Sequence, residues 1–400
     1  MSRFLLPLFV LMFAAYRVVA ADIALDGDCP PGFELTAGHC ELRSLYQMYD
    51  SLENAGVGGL KTGLPGYRDG FTPQQIDLGR YLFFDPVLSV DGSVSCASCH
   101  QPDKGFADGR GRSIGVKDEP LKRSAPSLWN VAFLNSFFWD GRADSLEQQM
   151  LGPLYDTHEM GNSPENLLQT MNGIPAYRKL FAEAWPAEFK FPGAQIRLDQ
   201  IYTAIVAFQT TLISLNSRYD QYAHGYADAL TEREKEGMNV FRSFVARCAE
   251  CHTPPLFTNQ QIAVIGTPEP EGMLFDIGAE KTLNEPSQRG GFKIPSLRNI
   301  DLTAPYMHSG RFTTLREAAA FYTGGRGHAV PQGEQLKIHW HIWEPRLTDE
   351  ELDRLVDFMK TLTDESFKPL EPAQLPSGLL PVHNNTAPTG ITLTGEENNE

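Results

Sequence analysis

Apolar side chains recur at helical spacing along most of the chain, and the alternating pattern of β-strands is almost absent. The clearest case is the segment 71–84, in which Thr72 stands as an N-cap and Pro73 takes the first helical position. By the same spacing we predict helices at 144–150, 164–184 with a break near Gly173 and Pro175, 196–215, 314–322 and 348–362. This pattern predicts an all-α fold with little strand.

A second helical run begins at Thr231, where Thr231 and Glu234 match a capping box. We expect this helix to continue to the cysteine motif near residue 250. The stretches 101–124 and 254–305 are long and rich in Gly and Pro, which is typical of loops that pack on something large. The tail, 367–400, is rich in Pro, Asn, Thr and acidic residues, and we predict that it is disordered.

Residues 1–20 have the pattern of a secretory signal peptide. A basic residue, Arg3, precedes an apolar run over 4–16, and small residues follow around Ala20. The apolar run is too short to span a bilayer, so we expect cleavage near Ala20, export to the periplasm and no membrane span afterwards. The remaining residues, about 380 of them, suffice for two domains with cores of their own.

The net charge of the chain is −16 at pH 7. A strongly acidic surface disfavours nucleic acid and anionic membranes as partners, whereas a basic or neutral protein partner is compatible with it. Charge therefore narrows the class of partner without naming one.

Four of the six cysteines fall into two C-x-x-C-H motifs. The motifs are Cys96, Cys99 and His100, and Cys248, Cys251 and His252. This spacing lets two thiols form thioethers with one porphyrin while the next histidine ligates the iron. A zinc site would need clustered cysteine pairs, whereas these pairs are separated by about 150 residues. We therefore predict two covalently bound haem c groups, with His100 and His252 as their proximal ligands.

The other two cysteines, Cys29 and Cys40, flank a Pro-Pro-Gly turn in an exported chain, so we predict a disulfide between them. The coarse duplication of a helix leading into C-x-x-C-H predicts two cytochrome-like domains. We divide the chain into a signal peptide (1–20), a disulfide-bearing extension (21–66), an N-terminal haem domain (67–225), a C-terminal haem domain (226–366) and a disordered tail (367–400).

Several longer motifs follow one another from Leu78 onward. They are LGRYLFFDPVLS, RSAPSLWN, FFWDGRADSLEQQMLGP and HEMG in the first half, and GGFKIPSLRNIDLTAPYMHSGRFTTLREAAAFY in the second. Over about residues 72–363 the chain strongly resembles the bacterial di-haem cytochrome c peroxidase and MauG superfamily. The resemblance implies an enzyme that reacts with hydrogen peroxide.

The resemblance also implies that the two haems are unequal. No histidine lies between Gln101 and Thr157, so the N-terminal haem is expected to be five-coordinate and open to peroxide. Tyr322 matches the second ligand of the C-terminal haem in MauG-like members, and Met307 is a rival ligand by its chemistry. A tyrosinate stabilises higher oxidation states of iron, whereas a thioether favours the ferrous state.

Further site residues are carried over from the motifs. Glu159 matches the catalytic glutamate, Gln149 and Pro153 match distal-pocket positions, and Trp139 matches the tryptophan between the two haems. Family members also hold calcium between the domains, and here the matching positions are Ser124, in place of an asparagine, with Thr303 and Pro305.

The leading hypothesis is a MauG-like oxidase that acts on a secreted protein. Ala246 stands where MauG has a surface tryptophan, which argues against methylamine dehydrogenase as the substrate, and the chain has a closer likeness to the MbnH-type members. The alternatives are a cytochrome c peroxidase that takes electrons from a small cytochrome or cupredoxin, and an electron carrier without catalysis. The unusual segment 339–343, HWHIW, is a candidate exit point for oxidising equivalents, although core packing is the favoured interpretation.

Overall fold

The computed structural model describes residues 23–43, 63–66, 68–325 and 328–382, and the predicted signal peptide lies outside them. The described residues form two helical units, and the prediction of an all-α fold with little strand is confirmed. The first unit holds α1 (Pro73–Phe84), α2 (Cys96–Cys99), α3 (Leu146–Tyr155), α4 (Pro164–Gly173), α5 (Pro175–Ala184) and α6 (Leu198–Gln209). The second holds α7 (Arg218–Ala223), α8 (Glu232–Arg242), α9 (Cys248–Cys251), α10 (Glu280–Leu283), α11 (Leu315–Phe321) and α12 (Asp349–Lys360).

Two small antiparallel sheets of two strands each complete the described part of the chain. Strands β1 (Phe33–Thr36) and β2 (His39–Leu42) form a hairpin, which carries Cys40 of the disulfide that joins it to Cys29. Strands β3 (Ile262–Val264) and β4 (Gly291–Lys293) pair across the long loop of the second unit. Within the described ranges, every helix is too short or too polar to cross a membrane.

A close helix pair forms the centre of each unit, and the two pairs are built alike. In the first unit α1 crosses α6 at Gly79, where a Cβ atom would lie 1.8 Å from the carbonyl oxygen of Ala204. In the second unit α8 crosses α12 at Gly237, where a Cβ atom would lie 1.9 Å from the carbonyl oxygen of Arg354. Only glycine permits so close an approach of two helix backbones.

Aromatic rings repeat the same arrangement one turn further along each pair. Phe83 packs on Phe208 with ring centroids 5.0 Å apart, and Phe241 packs on Phe358 at 5.2 Å. All four side chains are buried. The duplication visible in the cysteine motifs therefore extends to the helix crossings.

The predicted helix starts are observed, whereas three predicted ends are wrong. Thr72, Thr231, Thr314 and Thr348 each form a capping box. The helix from Thr231 stops at Arg242 because Ser243 is extended and Arg247 has a φ of 55°. The helix predicted over 196–215 stops at Gln209, since Thr210 and Thr211 donate their hydroxyls to the carbonyls three residues back. α3 continues beyond 150 to Tyr155.

Two segments next to the predicted domain borders pack across the chain. Tyr219 and Ala223 of α7 pack in the second core, although a border at 225 would place this helix in the first domain. The tail was expected to be disordered from 367, yet Leu375 is buried in the first core. Ser377 donates its hydroxyl to Asp85 at 2.8 Å. Residues up to 382 therefore pack on the first unit, and 383–400 lie outside the described residues.

Candidate functional site

Each C-x-x-C-H motif forms a single helical turn, and its histidine is oriented by backbone carbonyls. The Nδ1 atom of His100 bonds the carbonyl oxygen of Phe106 at 2.9 Å. The Nδ1 atom of His252 lies 3.1 Å from the carbonyl oxygens of both Phe257 and Pro295. Because a carbonyl only accepts, Nδ1 carries the proton and Nε2 keeps a lone pair for a metal.

The electrostatics of the motifs also fit haem attachment. Burial lowers the pKa of His100, and it lowers the pKa of His252 to about 4, so that both rings are in the neutral form that ligates iron. The four motif thiols are free cysteines. Burial raises the pKa of Cys96 and of Cys248 to about 12. Free thiols beside an oriented, neutral histidine fit the predicted covalent attachment of haem c.

The face of the first unit beside its motif is built from α3 and the turn that follows it. Gln149 and Pro153 are four residues apart, so they share one face of the helix. Pro153 stands inside the helix and has no N–H to donate to the carbonyl of Gln149. The chain then folds back, and the N–H of Met160 donates to the carbonyl of Pro153 at 3.0 Å.

Glu159 is placed by this turn, and its side chain is half-buried. Its carbonyl accepts from the N–H of Val116 at 2.8 Å. Burial raises the pKa of Glu159, with a further rise from the charge of Asp156, while Arg142 opposes the rise. The charge of Glu159 in turn contributes to raising the pKa of the Cys99 thiol. The predicted acid/base residue therefore lies at the first motif.

Trp139 lies where the two units meet. Its Nε1 donates to the carbonyl of Ser124 at 2.9 Å, and its own carbonyl accepts from the N–H of Lys293 at 2.7 Å. Its ring is edge-on to His308 with centroids 6.4 Å apart. The predicted inter-haem tryptophan thus contacts residues of both halves of the chain.

Tyr322 follows directly after α11 and lies near the second motif. Burial raises the pKa of its hydroxyl, and the Cys248 and Cys251 sulfurs contribute to the rise through their charges. Met307, the rival ligand, has a φ of 72° and accepts at its carbonyl from the hydroxyl of Ser124 at 3.1 Å. The structure brings Tyr322 to the second motif, as the resemblance implied.

Two of the residues predicted to hold calcium donate their hydroxyls to backbone carbonyls. The Ser124 hydroxyl donates to the carbonyls of Met307 and His308. The Thr303 hydroxyl donates to the carbonyl of Ile300 at 3.2 Å. Within the described ranges, no group of three acidic, His or Cys side chains could hold a metal ion. Calcium takes about six to eight oxygen ligands, of which these residues would supply a hydroxyl and backbone carbonyls. Calcium therefore stays a prediction, and we derive no step through it.

Sequence reasoning missed a cross-link between the units beside Trp139. The guanidinium of Arg123 binds Asp140 at 2.9 Å and binds both carboxylate oxygens of Asp276 at 2.7 and 2.9 Å. Lys293 is also at this junction, and burial lowers its pKa to about 8. These residues stand singly in long loops, so no spacing in the sequence marks them.

Segment 339–343 lies across the surface beside the second motif, so the favoured prediction of core packing is wrong. Trp340 is 64% exposed and Trp343 is 36% exposed. His341 Nε2 lies 2.9 Å from Glu250 Oε2, and Trp343 Nε1 donates to the carbonyl of Val245 at 3.0 Å. These bonds attach the segment to the outside of the haem-binding turn rather than to the core.

Comparison with known families finds one match in each half of the chain. Residues 73–228 match the model described as di-haem cytochrome c peroxidase, and residues 236–363 match the cytochrome c model. The two matches together cover both motifs.

The individual relatives include both MauG proteins and cytochrome c peroxidases. The chain is 35% identical over 296 residues to the methylamine utilization protein MauG of Methylorubrum extorquens, covering 74% of this chain and 79% of that protein. It is 33% identical to the cytochrome c551 peroxidase of Nitrosomonas europaea, covering 79% and 87%. Among solved structures, a MauG-like protein associated with microbial copper homeostasis is similar, with a TM-score of 0.68 and 32% identity over 78% of this chain and 97% of that one.

Proposed function

The chain belongs to the family of di-haem cytochrome c peroxidases and MauG, and from this we propose that it oxidises a secreted protein substrate at an aromatic side chain. It is a peroxide-dependent di-haem oxidoreductase with covalently attached haem c. The observation that carries the proposal is the inequality of the two sites. Pro153 accepts from the N–H of Met160, next to Glu159 at the first motif, whereas Tyr322 lies near the second motif. The signal pattern supports export to the periplasm as part of the same proposal.

Each bound haem would supply an iron that exchanges electrons with peroxide and with the substrate. Reduction of hydrogen peroxide to two waters takes two electrons and two protons. In this proposal Glu159 accepts the proton of the nearer peroxide oxygen and returns it to the farther one, which leaves as water. The raised pKa of its carboxyl suits it to both halves of this transfer.

Three other residues prepare the first site. The bond from His100 to the carbonyl of Phe106 holds the imidazole in one orientation. Pro153 has a ring without a donor or acceptor, so it would not ligate a bound haem and would leave room for peroxide. Gln149, one turn earlier, offers an amide that orients peroxide or water.

Trp139 connects the two sites in this proposal. Its indole contacts residues from both halves, and Ser124 and Lys293 fix its side chain and backbone. An aromatic ring held in this way can pass electrons between the units. The Tyr322 hydroxyl, which is neutral at its raised pKa, would lose its proton on binding iron, and the resulting anion stabilises higher oxidation states.

The second candidate is a cytochrome c peroxidase that draws electrons from a small cytochrome or cupredoxin. The relative from Nitrosomonas europaea, named as such a peroxidase, supports it as directly as MauG supports the first. Tyr322 favours the first candidate, because an anionic oxygen ligand makes the second haem a poor port for electron entry. A carrier without catalysis would have no use for Glu159 beside the first motif.

Rapid mixing of the diferric protein with hydrogen peroxide tests the proposal. We expect an optical change within one turnover and without prior reduction, followed by a slow return that a protein substrate accelerates. A reaction that requires prior reduction of one haem would support the cytochrome c peroxidase instead. A protein that reacts with peroxide neither in the diferric state nor after reduction of one haem would support the electron carrier.

A further inference from the structure

The loops that orient the two motif histidines are built alike, except for one buried side chain. The matching segments are 125–130, APSLWN, and 294–299, IPSLRN. The serine of each segment donates its hydroxyl to the carbonyl of the residue before the phenylalanine that orients the histidine, at 2.7 Å in the first unit and 2.6 Å in the second. Two residues after that serine, the first unit has Trp129 and the second has Arg298.

The two unlike side chains are both buried, and both pack on the orienting phenylalanine. Trp129 is 2% exposed, and its ring lies edge-on to Phe106 with centroids 5.0 Å apart. Arg298 is 1% exposed, and its guanidinium lies 5.3 Å from the ring centroid of Phe257. An indole is neutral, whereas a guanidinium is always charged. The second unit therefore holds a buried positive charge where the first unit has a neutral ring.

Asp220 of α7 neutralises this charge. Nη1 and Nη2 of Arg298 donate to Oδ2 and Oδ1 of Asp220 at 2.5 and 2.7 Å. The N–H and the hydroxyl of Ser217 also donate to Asp220, at 2.8 and 2.7 Å, which favours the ionised carboxylate. Burial lowers the pKa of Arg298, but the charge and hydrogen bonds of Asp220 outweigh burial and raise the pKa. Removal of either partner would leave the other charge buried and uncompensated.

The same ion pair fixes the surroundings of His252. Nε and Nη2 of Arg298 donate to the carbonyl of Pro255 at 2.9 and 2.6 Å. Pro255 precedes Phe257 by two residues, and Pro295 precedes Arg298 by three. The carbonyls of Phe257 and Pro295 are the two that bond His252 Nδ1. Arg298 therefore joins the two segments that orient this histidine, and such bonds tune the electron donation of an iron ligand.

Charge beside His252 has a definite effect on the iron that this residue would ligate. A nearby positive charge stabilises the reduced form of the iron and raises its reduction potential, whereas a nearby negative charge lowers the potential. An uncompensated guanidinium would therefore oppose oxidation of the second haem. A guanidinium paired with a carboxylate leaves the haem easier to oxidise.

We propose that Asp220 is a positioning residue of the second haem site, which keeps the reduction potential of that haem low by neutralising Arg298 beside His252. The inference rests on the proposed function, since that function assigns the storage of oxidising equivalents to the second haem. Asp220 acts through Arg298, and Trp129 makes the first haem site independent of such a pair.

A redox titration of the loaded protein tests the inference without peroxide. Samples frozen at successive potentials are measured by electron paramagnetic resonance, which separates the ferric signals of the two haems. D220N keeps the size of the side chain and removes its charge. At the potential where the second haem of the wild type is half reduced, D220N should raise its ferrous-to-ferric ratio about tenfold, a shift of about 59 mV for one electron. The midpoint of the first haem should not move.

The opposite substitution separates charge from mere loss of structure. R298Q leaves the carboxylate of Asp220 without its cation, so the midpoint of the second haem should shift in the opposite direction, to lower potential. A loop that had only lost its support would shift the midpoint in the same direction in both variants. R298Q also tests the inference by itself if D220N does not fold or bind haem.

A surface ion pair of the same unit provides the matched control. Asp357 of α12 pairs with Arg233 of α8, and both side chains are partly exposed, at 35% and 53%. Exposed charges are screened by solvent and salt, so D357N should leave both midpoints unchanged. Circular dichroism and haem absorbance verify that each variant is folded and loaded.

The inference is overturned if D220N leaves the midpoint of the second haem where D357N leaves it, or if D220N moves both haems equally. It is also overturned if R298Q raises the midpoint or leaves it unchanged. Failure of the proposed function looks different. In that case the wild-type protein does not react with peroxide, whereas failure of this inference leaves the peroxide reaction intact.

Discussion

The two haem units share a framework and differ at a position to which the proposed function assigns their different chemistry. Phe137 bridges to Ala143 before α3 in the first unit, and Tyr306 bridges to Phe312 before α11 in the second. Counted from these bridges, Pro153 in the first unit occupies the position of Tyr322 in the second. A duplicated backbone thus carries a ring without a ligand atom in the first unit where the second unit carries a phenol.

Two equivalent asparagines show how much of the framework the two units retain. Asn130 and Asn299 both have a positive φ. The side-chain amide of Asn130 donates to the carbonyl of Ser214, and that of Asn299 donates to the carbonyl of Asp364, each at 3.0 Å. The loops that carry these asparagines are therefore matched, so in the proposed function the difference between the units rests on Pro153 and Tyr322.

The largest expected effect is on the peroxide reaction at the first haem motif. Glu159→Gln removes the group that accepts and returns the peroxide proton, so the rate constant for the peroxide reaction should fall by about 100- to 10,000-fold. Stopped-flow absorbance measures this rate. Glu119 is a suitable control, since it pairs with exposed His158, and E119Q should react at the wild-type rate. Equal rates for E159Q and wild type would remove Glu159 from the mechanism.

A second variant removes the proposed oxygen ligand of the second haem. Tyr322→Phe removes the proposed oxygen ligand, so the absorption spectrum of the second haem should change and its peroxide-oxidised state should decay faster. Met307→Leu is the matched comparison, because methionine is the rival ligand and leucine has a similar volume. A spectrum altered by M307L but not by Y322F would reverse the assignment.

A third prediction concerns the close helix crossing that the two units share. Gly79→Ala and Gly237→Ala each force a methyl group to within 2 Å of a backbone oxygen. Overpacking of this kind costs about 1–3 kcal/mol or more of the free energy of unfolding. Denaturant titration of both variants measures the loss. A Cβ atom at Gly173 would have no atom within 4 Å, so G173A should leave the free energy of unfolding nearly unchanged. If G173A lost as much stability as G79A and G237A, the close helix crossings would not be the cause of the loss.

The smallest expected effect is a shift in pH dependence. The peroxide reaction requires ionised Glu159, so its rate should rise with pH through the raised pKa of that carboxyl. Arg142 lowers this pKa through its charge, hence Arg142→Gln should move the midpoint to higher pH. A pH series of stopped-flow traces measures both midpoints. A shift to lower pH would contradict the electrostatic account.

Features encoded by neighbouring residues could be predicted from the sequence. Thr72, Thr231 and Thr348 cap the helices predicted to start after them, because a cap and its helix are adjacent in the chain. The two C-x-x-C-H motifs and the pairing of Cys29 with Cys40 are similarly local. The position of Glu159 followed from its motif, since the turn after α3 contains both.

Features created by contacts between distant segments could not be predicted. Gly79 and Gly237 look like ordinary helical glycines until the crossing helices are in place. Arg123 and Asp276 are joined across more than 150 residues, and neither belongs to a repeating pattern. The exposure of Trp340 and Trp343 was missed because an apolar segment reads as core unless its neighbours in space are known.

Electron paramagnetic resonance of the purified diferric protein tests the inequality of the two haems most directly. If Pro153 leaves the first haem open and Tyr322 ligates the second, the spectrum should contain one five-coordinate high-spin iron and one six-coordinate iron in equal amounts. The six-coordinate signal should be altered in Y322F, while the five-coordinate signal is retained. Two six-coordinate irons in the wild-type protein would contradict the account.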